Sequence, residues 1–118
     1  LNNRKEADME YLHIYEIVGQ TRLGVIFYPK ELRHTKAEII KKTRSIITYR
    51  IGNEAVGTIH RKRLDRVSRE GTKVVLTTPD NELAIQLFTN YINDLIQERE
   101  ESIKIYRQAL KIVKAFKD

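Results

Sequence analysis

The chain has 118 residues, 41% hydrophobic and 32% charged, a balance that fits one globular domain with little surplus stability. It has no cysteine, which excludes disulfides, zinc–thiolate sites and thiol nucleophiles. Its formal net charge of +6 favours partners that carry negative charge. No apolar run approaches the roughly 18 residues of a membrane span, and no charged-then-apolar leader opens the chain. The reading is a cytoplasmic protein without a transmembrane segment.

Residues 1–10 are expected to form a flexible N-terminal segment. Residues 11–18 are rich in β-branched and aromatic side chains and predict a strand. A turn is expected at 19–22, then a second strand over 23–28, stopped by Pro29. Over 36–42 two readings stand. Thr35 with Glu38 makes a capping-box pattern for a short helix, whereas Ile39 and Ile40 suit a strand. Residues 45–51 are good strand material. Gly52-Asn53 is a two-residue hairpin signal, with 54–61 as the returning strand. Residues 64–78 predict a further hairpin about Gly71, with Val74 and Leu76 on one face and Val75 and Thr77 on the other.

The clearest element is C-terminal. Leu83, Leu87, Phe88, Tyr91, Ile92 and Leu95 recur at helical steps, and the periodicity runs on through Ile103, Tyr106, Leu110 and Val113. Thr78 is placed to cap this helix, with Pro79 in its first turn. A continuous helix over 79–117 would be about 58 Å long at 1.5 Å per residue. A core of this size cannot cover that length. Residues 11–99 are therefore read as one globular domain and 100–118 as a helical extension. Ile103, Tyr106, Leu110, Val113 and Phe116 are read as an oligomer interface, giving a homodimer with coiled-coil character.

The fold class is thus α+β: mainly an antiparallel β meander or small barrel closed by a long C-terminal helix. The competing reading folds 36–67 as helices. It makes the segment NEAVGTIHRKR a recognition helix and RVSREGTKVVLTT a wing, and resembles winged-helix DNA-binding proteins that dimerise through a terminal helix. Gly57 and the Thr and Ser residues around it oppose that reading, since they are weak helix formers.

Residues 42–92 resemble the second half of a bacterial pleckstrin-homology-like domain. A strand and a tight turn lead to a strand carrying the spacing Ile59, Leu64, Val67, then a Gly-centred hairpin and a helix. The resemblance implies a barrel whose open end is plugged by Leu83, Leu87, Phe88, Tyr91 and Ile92. It also implies binding of phosphoinositides, peptides or other domains through loops and sheet edges. The loop at 19–22 offers lipid headgroups only Arg22.

Charge is concentrated in the middle of the chain. Residues 30–73 hold 13 Lys and Arg against five acids, whereas 79–118 hold six against seven. Lys41, Lys42, Arg44, Arg50, Arg61, Lys62, Arg63, Arg66 and Arg69 are the candidate partner-binding residues. In either secondary structure Arg61, Lys62 and Arg63 can meet phosphates or carboxylates. The partner expected is an acidic protein or nucleic acid, with anionic lipid ranked after them.

Catalysis is not expected. His13, His34 and His60 have no metal-ligand spacing, Ser45, Ser68 and Ser102 have no evident base, and no phosphate loop is present. No catalytic residue, metal or cofactor is therefore assigned. The function expected is a non-enzymatic interaction module that binds an acidic partner and oligomerises or docks through its C-terminal helix. The alternative is a dimeric winged-helix DNA-binding regulator of transcription or replication.

Overall fold

A computed structural model describes residues 9–22, 24, 26–53 and 56–116. The expectation for the first eight residues lies outside these. The chain divides into two compact units, Leu1–Phe88 and Thr89–Asp118.

The first unit is built on five antiparallel strands: β1 (Tyr11–Arg22), β2 (Ile26–Lys42), β3 (Ile46–Arg50), β4 (Val56–His60) and β5 (Lys73–Leu76). Their order across the sheet is β4-β3-β2-β1-β5, and the sheet curls into a half-barrel. A short 3-10 turn, Arg61–Arg63, follows β4. The helix α1 (Asn81–Ala115) follows β5. The fold class is α+β. Val56–His60 is a strand where the winged-helix reading needs its recognition helix, so that layout is not formed.

Several boundaries differ from the sequence reading, each for a local reason. Residues 19–22 do not turn. Thr21 pairs with Phe27 and Arg22 with Ile26, so the strand runs on through Arg22, and Gly24 beyond it has φ 70°. Gly19 instead marks a bulge: Val18 pairs with Glu31 but Gly19 with Pro29. Pro29 therefore does not end the strand. It sits at the irregularity, the kind of position where a strand tolerates a residue without an N–H. The ambiguous 36–42 segment is strand, its Ile39 paired with Tyr49. Arg50 pairs with Val56, so the β3–β4 connection covers 51–55 and is longer than a two-residue hairpin; Gly52 takes φ 57° within it. The strand expected at 64–69 reduces to a single bridge, Val67 to Val74.

Period-two alternation gives β1 and β5 two buried faces. Leu12, Ile14 and Val75 point into one cluster with Ala37, Ile39 and Ile47. Tyr15, Val74 and Leu76 point into the other, where Ala84 and Phe88 of α1 cover them, flanked by Ile17, Val67 and Leu87. The helical side chains that cover the sheet are thus Ala84, Leu87 and Phe88. Leu83 and Ile92, expected among them, are exposed. Asp80, rather than Thr78, caps the helix: Leu83 N–H donates to its Oδ1 at 3.0 Å.

The second unit is the remainder of α1, from Thr89. It is a single helix whose apolar side chains Ile103, Tyr106, Leu110 and Val113 are all exposed. No helix among the described residues is long and apolar enough to cross a membrane.

Candidate functional site

The loop after β4 folds back along β5 and creates a cleft between them. Asp65 N–H donates to Val75 O at 3.0 Å, and Ser68 N–H to Lys73 O at 2.8 Å. Two residues in the left-handed region shape the path, Asp65 with φ 59° and Gly71 with φ 80°. Aspartate is one of the few side chains found there with any frequency.

The cleft has a volume of about 320 Å³. Apolar surface comes from Tyr49, Ile59 and Val75, and positive charge from Arg63, Arg66, Arg69 and Lys73, with His60 beside them. Tyr49 fits because its cross-strand partner is Gly57. A Cβ on Gly57 would come within 2.6 Å of the tyrosine ring.

Among the described residues one acid, Glu70, also lines the cleft. Its own backbone N–H, then the Ser68 hydroxyl, hold its carboxyl below the usual carboxylate range, and Lys73 and Arg69 add to this. Lys73 reaches Glu16 only at 3.8 Å, with both side chains well exposed, so that pair leaves most of its charge available.

Of the nine cations singled out from the sequence, Arg63, Arg66 and Arg69 line this cleft. The other six do not. Arg61 is turned toward the β2–β3 connection, where its Nε donates to Thr43 O at 3.0 Å. Lys62 is exposed on the same 3-10 turn. Lys42 pairs with Glu10 at 2.6 Å, and Lys41 lies beside it along β2. Arg44 is exposed in the β2–β3 connection and Arg50 at the C-terminal end of β3. Sequence reasoning missed Lys73 and His60. Both were legible as polar residues flanking the Gly71 reversal and the end of β4, but only the folded-back loop brings them beside the arginines.

The open edge of β4 borders the same cleft. Arg61 N–H donates to Ser45 O at 2.8 Å. Hydrogen-bonded pairs alternate along an antiparallel ladder, so Ile59 and Gly57 turn their backbone groups toward β3, while Thr58 and His60 turn theirs outward. β4 is the outermost strand of the sheet on this side. Thr58 and His60 both line the cleft.

A second polar cluster joins sheet to helix. His13 Nδ1 lies 2.9 Å from His34 Nε2 across the β1–β2 pair. His34 stacks on Tyr15 with ring centroids 4.4 Å apart, and the Tyr15 hydroxyl donates to Asn81 Oδ1 at 2.8 Å. Burial first, then His34 and Lys36, hold the His13 pKa below its ordinary value. Among the described residues no group of three or more His, Asp or Glu is placed to hold a metal ion.

Compared with protein-family models, with curated proteins and with solved structures, the chain matches none.

Proposed function

We propose that this chain is a non-enzymatic interaction module, pleckstrin-homology-like in layout, that binds an acidic segment of a partner protein and self-associates through its C-terminal helix. The observation that carries the reading is the cleft beside β4, where among the described residues four Lys and Arg side chains face one acid over an apolar lining. Carboxylates or phosphates on an extended segment would meet Arg63, Arg66, Arg69 and Lys73, and charge-assisted bonds of this kind are the stronger ones. The outward-facing N–H and C=O of Thr58 and the outward-facing N–H of His60 offer such a segment a strand edge to pair with. Tyr49, Ile59 and Val75 offer contact for its apolar side chains. A cytoplasm-type compartment suits a chain without cysteine.

The test is fluorescence anisotropy with a labelled polyglutamate peptide, set against random duplex DNA and anionic vesicles as competitors. The peptide is expected to bind and to be weakened by salt. Tight DNA binding with a steep salt slope, and no peptide binding, would move the reading to nucleic acid.

A further inference from the structure

The second unit, taken by itself, carries a heptad. Alternating steps of four and three link Ile92, Ile96 and Arg99, and then Ile103, Tyr106, Leu110 and Val113. A 3.5-residue period of this kind is the seam of a two-stranded coiled coil. Along it Ile103, Tyr106, Leu110 and Val113 are 47%, 71%, 48% and 71% exposed. Such a stripe is costly in water and calls for an occupant.

We infer that the occupant is a second copy of the same helix, running antiparallel, with Ile103 of one copy level with Tyr106 of the other. This rests on the reading of the helix as a self-association element. The direction follows from the residues on and beside the seam. A parallel, in-register pair would set Arg99 against Arg99, two like charges at the centre of an apolar seam. It would also set Leu95 against Glu100 on the flank. The antiparallel register removes both conflicts. Arg99 then faces Leu110, and Ile96 faces Val113. On the flanks, Glu100 of each copy meets Arg107 of the other, and Leu95 of each meets Phe116. Every one of these contacts occurs twice by two-fold symmetry. Glu100 and Arg107 are exposed, and neither makes an ion pair among the described residues.

The register makes two measurable claims. Glu100→Arg or Arg107→Glu alone converts attraction into repulsion twice over and is expected to weaken the dimer about tenfold by sedimentation equilibrium. The double variant, with the charges exchanged, is expected to restore it. In a parallel pair these two positions do not face each other, and neither exchange would matter.

The absence of cysteine permits single spin labels at Gln97→Cys and Lys104→Cys, two outer positions one heptad apart. In the antiparallel register the two labels at 104 are offset by only ~2 Å along the axis and those at 97 by ~22 Å. A parallel dimer gives the same short distance at both sites, which would overturn the antiparallel register while leaving self-association standing. A chain that stays monomeric up to millimolar concentration would overturn both.

Discussion

His13 and His34 share a 2.9 Å hydrogen bond across β1 and β2, and only one of them can supply its proton while both stay neutral. Protonating both removes the acceptor and sets two cations side by side, with Lys36 close enough to oppose the change as well. The folded state therefore binds protons at His13 less readily than the unfolded chain, whose ordinary value is 6.5. Stability is expected to rise with pH through this region and to fall as pH drops below it. Urea midpoints measured at pH 7.5 and 5.5 check this. The wild type should lose stability at the lower pH, and His13→Asn should lose less. An equal loss in both would assign the pH effect to other groups.

Gly19 is required by the bulge rather than by its φ angle. A Cβ there would lie 2.0 Å from the carbonyl oxygen of Tyr28, a backbone atom that cannot turn aside. Gly19→Ala is expected to cost roughly 2 kcal/mol of unfolding free energy, read as a lower urea midpoint. Gly24→Ala is a different case. No atom lies within 4 Å of its Cβ position, and the penalty comes only from φ 70°, at about 1 kcal/mol.

The first turns of α1 hold the sheet by one face. Phe88 is 5% exposed between Tyr15, Val74 and Leu76, whereas Ile85 is 53% exposed. Phe88→Ala is expected to cost about 3 kcal/mol and Ile85→Ala about 0.5 kcal/mol, measured by thermal and urea unfolding. Similar costs would mean that the helix is held by a different face.

The sheet was legible where alternation was strong. Val74, Val75 and Leu76 were assigned to opposite faces from their order alone, and they enter opposite clusters. It was less legible where one residue type serves two roles. Gly19 and Pro29 read as a turn and a stop, but a bulge uses both, and only the register of β1 against β2 distinguishes the cases. Thr35 and Glu38 satisfied a helix-capping pattern, yet pairing of this stretch with β1 and β3 decided its structure. That is tertiary context overriding a local signal.

At the site, Arg63, Arg66 and Arg69 were legible because they are neighbours in sequence. The approach of Lys73 and His60 depends on the loop folding back. The His13–His34 pair joins residues 21 apart and requires the strand register to be known.

On the function proposed, the cleft, and not the overall charge, holds the acidic partner. Two triple variants separate these, each removing three positive charges: Arg63→Ser with Arg66→Ser and Arg69→Ser, and Lys41→Ser with Arg44→Ser and Arg50→Ser. The measurement is the dissociation constant for labelled polyglutamate at fixed salt. The cleft variant is expected to bind at least about tenfold more weakly than wild type, and the other to change less than about threefold. Equal weakening in both would show that the peptide senses net charge alone and that the cleft is not its site.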